Sequence, residues 1–134
     1  DYIRSFGYVK VLKEGKEFYF ATTHLDHKYE DSARLLQINE ILSHVEQLDL
    51  PIILGGDLNS RRGSATMDAF QRYFTVNCLS DGAPWTVPTP NPTYACDWLI
   101  YAPNKAFVVK AYNVCYWADK ESDHFPVTAT YVIR

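Results

Sequence analysis

Apolar residues along the first half of the chain follow a strand pattern, then a helical one, then a strand pattern again. Residues 6–12 and 17–23 read as two strands, with Glu14 and Gly15 between them as turn chemistry. On the second strand Phe18, Phe20 and Thr22 share one face, and Tyr19, Ala21 and Thr23 share the other. Both faces are largely apolar, so this strand is expected to be buried on two sides. Residues 25–31 are polar and read as a loop. Asp31 or Ser32 can cap a helix that runs to about residue 48. Leu35, Ile38, Leu42 and Val45 recur there at helical spacing, while Arg34, Glu40 and Glu46 fall away from the stripe. Pro51 ends the segment.

Ile52, Ile53 and Leu54 form a short apolar run that reads as a buried strand and stops at Gly55 and Gly56. A helix is expected over 64–74 with Met67, Phe70 and Phe74 inward, and a further strand over 75–79. Residues 80–94 are rich in Pro and Gly and form a long connection, of the kind that is often functional. Strands follow at 96–101, 107–116 and 126–133, with a polar loop over 117–124. This order predicts an α+β fold of the sandwich type, a mostly antiparallel sheet with helices on one face. The pattern offers no third layer for the opposite face, so an exposed apolar patch is expected there, the mark of a missing partner.

Composition narrows the picture a little. The 134 residues suit one domain, and 47% hydrophobic with 22% charged is ordinary for a globular domain. The net charge is −3, and the pair Arg61–Arg62 is the nearest thing to a basic run. A duplex-binding protein shows a basic stripe. Its lack here counts against duplex nucleic acid, while leaving a nucleic-acid substrate open, since a bound metal or the rest of the protein can supply positive charge. Cys78, Cys96 and Cys115 are odd in number and lack C-x-x-C spacing, so they read as buried small hydrophobes rather than zinc ligands. No apolar run is long enough to span a bilayer and no signal peptide is visible, which leaves the compartment open. The chain begins with Asp1 and its one methionine is Met67, so it reads as a processed chain or an excised piece.

Three polar clusters fall where strands end: Thr23–His27, Gly56–Asn59 and Ser122–Pro126. Strand-end loops are where a rigid scaffold builds its sites. Alone, His24 reads as a structural histidine and Asp57 as a turn residue. Together the clusters hold what phosphate-ester hydrolysis needs: carboxylates and an amide for a hard cation, a base for water, and donors for phosphate charge. Asp57 and Asp123 supply carboxylates, Asn59 an amide, His24 and His124 imidazoles.

Gly56-Asp57-Leu58-Asn59 resembles the Gly-Asp-Phe/Leu-Asn motif of the endonuclease/exonuclease/phosphatase family. Ser122-Asp123-His124 with Pro126-Val127 resembles its Ser-Asp-His-x-Pro motif, and Thr23-His24-Leu25 its Thr-His-Leu motif. Cys96-Asp97-Trp98-Leu99-Ile100 stands where the family has Ile-Asp-Tyr/Trp-Ile/Leu. The four come in the family's order over essentially the whole chain. The resemblance implies a role for each residue. Asp57 would orient or deprotonate the attacking water, and Asn59 would contact the phosphate or the metal shell. Asp123 would bind metal directly or through water, His124 would donate to a phosphate oxygen while held by Asp97, and His24 would be a second phosphate donor. It implies metal ligands Asp123, Asp57 and Asn59 and a Mg²⁺ or Mn²⁺ ion.

Ala95 departs from the pattern, which has Arg there. The family's first half, with an Asn and a metal-binding Glu, has no counterpart here. The resemblance therefore implies the second half, 1–134, of a four-layer α-β-β-α sandwich, with the first half or a second copy of the chain as partner and low activity when alone. Asn59-Ser60 followed by Gly63-Ser64 is similar to deadenylase-like members and bacterial relatives. Arg34 and Gln37 fit the bacterial hydrolases, yet also read as exposed helix residues. Trp85 could stack on a base or sugar, or could pack in the core or against a turn. Two functions are open: a metal-dependent phosphoesterase of nuclease, deadenylase or phosphatase type acting on a phosphate ester, or a non-catalytic binding module that kept the fold. The full set of site residues favours the enzyme.

Overall fold

The structure is a computed structural model describing residues 3–76 and 84–134; Cys78 and residues 77–79 of the expected strand lie outside them. β1 (Phe6–Lys13) and β2 (Lys16–His24) form a hairpin closed by Glu14 and Gly15, whose φ angles are 52° and 77°. Two successive left-handed residues give the turn the twist its strands need, as in a type I′ hairpin. β2 pairs in parallel with β3 (Ile52–Asp57), and β3 pairs antiparallel with β4 (Asp97–Ala102). The sheet order is β1-β2-β3-β4. A parallel pair cannot be joined by a tight turn, and α1 (Ser32–Val45) supplies the crossover. α2 (Ala65–Gln71) starts at Ser64, whose hydroxyl accepts the Met67 N–H at 3.3 Å. Beyond it Thr75 forms a lone bridge to Tyr101 on the free edge of β4.

One sheet face carries Ala21, Ile52, Leu54, Trp98, Ile100 and Ala102 against Ile38, Ile41 and Val45 of α1 and Met67 and Phe70 of α2. Each large side chain buried here contributes about 1.5–3 kcal/mol. Both helices stop short of the expected ends, at Val45 and Gln71, because the apolar spacing continues through terminal turns such as Leu48 N–H to Val45 O at 3.0 Å.

The other face is not left bare, which corrects the expectation of no third layer. β5 (Phe107–Val114) and β6 (Val127–Ile133) form a separate antiparallel pair. Their Phe107, Val109, Tyr131 and Ile133 pack on Phe18, Ile53 and Tyr101. Cover ends part way along: Phe20 and Val9, cross-strand partners on that same face, remain 42% and 61% exposed. The architecture is thus an α+β sandwich of helices, a four-stranded sheet and a small second sheet.

Arg34 is a second correction. It does not fall away from the buried stripe of α1: it is 5% exposed. The loop before α1 turns several carbonyls inward, and buried carbonyls need donors. The guanidinium provides them for Asp26 O at 3.0 Å, for Lys28 O and for Tyr29 O at 3.4 Å. Gln37 Oε1 accepts the Asp26 N–H at 2.9 Å, so it too grips this loop rather than facing solvent alone. Asp31 makes no side-chain cap; its Oδ1 takes Arg34 Nη2 at 2.8 Å and the Thr66 hydroxyl at 2.6 Å, joining α1 to α2.

Two outcomes follow. A Cβ on Gly56 would lie 1.9 Å from the Thr23 carbonyl oxygen, a backbone atom that cannot yield. Gly56→Ala is therefore expected to cost on the order of 3 kcal/mol or more, read as the shift in a urea unfolding midpoint. The Thr66 hydroxyl and the Arg34 guanidinium hold the Asp31 carboxyl below the usual carboxylate range. A depressed folded-state pKa stabilises above the unfolded value and loses that contribution as pH falls through the folded one. Asp31→Asn should cost about 1–2 kcal/mol at neutral pH, and the gap between the two proteins should narrow in unfolding curves taken below about pH 4.

Candidate active site

The register of the main sheet aligns three of its strand ends. His24 closes β2, Asp57 closes β3 and Asp97 opens β4, and they are Cα partners in the order His24, Asp57, Asp97. Pleating sends all three to the face opposite Thr23, Gly56 and Trp98. His24 Nε2 lies 3.3 Å from Asp57 Oδ2. His124, from the loop before β6, brings Nδ1 to 2.8 Å from Asp97 Oδ2 and 4.0 Å from Asp57 Oδ2. The Asp57 carboxylate therefore sits between two imidazoles.

Local backbone fixes that carboxylate. The Asn59 N–H donates to Asp57 Oδ1 at 2.8 Å, an Asx-type turn that leaves Oδ2 facing the histidines. Asn59 is left-handed (φ 46°), a conformation Asn tolerates well. Its Nδ2 donates to Leu25 O at 2.9 Å, which leaves the amide oxygen as an acceptor. Main-chain bonds from Leu25 N to Asp57 O (3.0 Å) and Leu58 N to Cys96 O (2.8 Å) clamp the three strand ends together.

The loop carrying His124 is anchored by Phe125, which is buried and meets the Tyr116 ring edge-on at 5.1 Å. It is latched to a strap over 86–89. Phe125 N donates to Thr86 O at 2.7 Å, Thr89 N to Asp123 O at 2.9 Å, and the Thr89 hydroxyl to Ser122 O at 2.8 Å. Asp123 is exposed, its Oδ1 3.4 Å from the Ser122 hydroxyl. Trp85 keeps half of its surface exposed, so it packs no core; its carbonyl accepts the Tyr116 hydroxyl at 3.1 Å.

Burial works against a charge on His124. The hydrogen bond and charge of Asp97 outweigh it, with Asp57 and Asp123 adding to them, and the imidazole pKa rises above its ordinary value. Asp97 Oδ2 also accepts the Thr86 hydroxyl at 2.5 Å and the Cys96 thiol at 3.4 Å. Thr86 is a site-shaping residue that the sequence pattern did not single out. It lies in the Pro-rich connection, and nothing in its neighbours marks it.

Among the described residues, Asp57, Cys96, Asp97 and His124 form a candidate metal group, with one ligand atom each within 4.8 Å of the others. Their chemistry divides them. Burial, then the charges of Asp97 and Asp57, push the Cys96 thiol far up, so it stays a protonated donor. Asp97 and His124 are turned toward each other. A hard divalent cation prefers carboxylate and amide oxygens to a protonated thiol or an imidazole already held by a carboxylate. Asp123 itself is outside the group of four. No helix of the described residues is long and apolar enough to cross a membrane.

No family sequence model matches the chain. It is 36% identical over 99 residues to sphingomyelinase C 1 of Leptospira interrogans, covering 66% of this chain and 17% of that protein. A solved endonuclease/exonuclease/phosphatase family protein of Bacteroides thetaiotaomicron superposes with TM-score 0.71 at 26% identity, over 98% of this chain and 55% of that one. The mannosyl-6-phosphatase of Bacteroides thetaiotaomicron VPI-5482 gives 0.72 at 27%, over 97% and 57%. The chain thus spans about half the length of these two solved relatives. Over nearly all of its length the chain shares the fold of solved endonuclease/exonuclease/phosphatase family proteins, and it brings the four motifs that resemble theirs to one rim of the sheet.

Proposed function

We propose that the protein hydrolyses a phosphate ester at the rim formed by His24, Asp57, Asn59, Asp97, Asp123 and His124. The observation that carries this reading is the Asp57 carboxylate, oriented by Asn59 N–H at 2.8 Å and set between His24 at 3.3 Å and His124 at 4.0 Å. A phosphate placed against the two imidazoles receives a donor from each, while Asp57 Oδ2 faces the water that attacks phosphorus. Asp57 takes the proton from that water, the new P–O bond forms, and the ester oxygen leaves. The raised pKa of His124 favours its protonated form, which stabilises charge on the phosphoryl oxygens. Asp97 keeps that ring aimed. Asp57, Asn59 and Asp123 would hold Mg²⁺ or Mn²⁺, which supplies electrostatic stabilisation of phosphoryl charge and a lowered pKa for bound water.

The relatives named sphingomyelinase and mannosyl-6-phosphatase keep both diesters and monoesters in range. The net charge of −3 favours a substrate other than duplex nucleic acid. The bare stretch around Val9 and Phe20 is where we place the remaining part of the domain, or a second copy of the chain.

In the complete protein, Asp57→Asn should lower kcat by about 100- to 10,000-fold with little change in KM, because the carboxylate acts in the transition state. Near-normal kcat in steady-state hydrolysis of a chromogenic phosphate ester would remove Asp57 from this role. Chelation by EDTA should abolish turnover, and Mg²⁺ or Mn²⁺ should restore it; turnover indifferent to EDTA would show that no cation takes part.

A further inference from the structure

Thr86 is fully buried, with 0% of its surface exposed, and each of its polar groups has a partner at the site. Its hydroxyl donates to Asp97 Oδ2 at 2.5 Å and accepts the Cys96 N–H at 3.3 Å. Its own N–H donates to Tyr94 O at 2.9 Å, and its carbonyl accepts Phe125 N–H at 2.7 Å. Phe125 directly follows His124. One residue therefore touches the carboxylate with its side chain and the histidine loop with its main chain.

From this geometry we propose that Thr86 is the positioning residue that sets the Asp97–His124 pair, acting through Asp97. The proposal rests on the phosphoesterase reading above. Three donors converge on Asp97 Oδ2: the Thr86 hydroxyl, the Cys96 thiol at 3.4 Å and His124 Nδ1 at 2.8 Å. The hydroxyl is the shortest of them, and a thiol is a weak donor. The Thr86 bond is thus what fixes the carboxylate about its Cβ–Cγ bond, and the plane of the carboxylate in turn sets the plane of the imidazole. Removing the hydroxyl frees the carboxylate to turn, and the ring follows it. The main-chain bonds of Thr86 hold the strap to the loop whatever its side chain, so the two duties can be separated by substitution.

The test compares Thr86→Val, Thr86→Ser and Asp97→Asn in the complete protein with Mg²⁺ present. Valine keeps the shape and the main-chain bonds but has no hydroxyl; serine keeps the hydroxyl. Thr86→Val should lower kcat by about 10- to 100-fold, the usual loss when a supporting hydrogen-bond partner is removed. KM should stay within about twofold, as for a change felt in the transition state. Thr86→Ser should recover most of the loss. Wild-type kcat in Thr86→Val beside an inactive Asp97→Asn overturns the proposal and leaves the phosphoesterase reading standing. An active Asp97→Asn overturns both the proposal and the role of the Asp97–His124 pair. Equal losses in the valine and serine variants would make Thr86 a packing residue and also overturn it.

A second measurement does not depend on turnover. The His124 Nδ1 proton, held by Asp97, should give a slowly exchanging downfield proton resonance in the folded protein. That signal should broaden or vanish in Thr86→Val and return in Thr86→Ser. An unchanged signal in Thr86→Val refutes the positioning role.

Discussion

At Gly56 there is no room for even a methyl group: a Cβ there would meet the Thr23 carbonyl oxygen of β2. The consequence is register. Once Gly56 is opposite Thr23, His24 must lie opposite Asp57, and Asp57 opposite Asp97. A slip of one residue would send the whole row to the helix-covered face. Placement of two carboxylates and a histidine in line across three strands thus follows from one missing side chain. The same pairing runs one bond further, from Leu25 N–H to Asp57 O at 3.0 Å, and so ties the start of the following loop to β3.

That loop is held from behind. Arg34 and Gln37 emerge from the first turns of α1 and bond the inward carbonyl and amide groups of residues 26–29. Asp31 balances the guanidinium and ties it to Thr66 of α2. A buried cation with that many partners is tolerated because its donors are used. The arrangement braces the loop that directly follows His24, the last residue of β2, whose ring is half-exposed.

The sequence made the strand ends legible because chemistry-bearing residues there sit next to Gly or at abrupt changes of periodicity. His24, Asp57, Asn59 and His124 stand in polar clusters at expected strand ends, Asp97 is marked only by the family resemblance, and the structure gathers them at one rim. Arg34 runs against its pattern because helical periodicity scores an arginine as outward, whereas burial here is decided by inward carbonyls of the loop just before the helix. The β5–β6 layer was hidden for a related reason. Periodicity identifies a strand but not which sheet it joins, so Phe107 and Tyr131 carried no sign that they would cover Ile53 and Tyr101. Thr86 had no local signal at all, since its meaning lies in contacts made across 11 residues to Asp97 and across a further loop to Phe125.

His24, Asp57 and Asp97 belong to the four-stranded sheet, while His124 enters from the loop that leads into the two-stranded one. The site is therefore a seam between two layers that share an apolar contact and a strap, not a continuous ladder of backbone bonds. Layers joined in this way can part locally at lower free energy than the whole fold needs to unravel. On warming, the seam should give way while both sheets are still intact, so the resonances of the His124 ring should change before the circular-dichroism signal is lost.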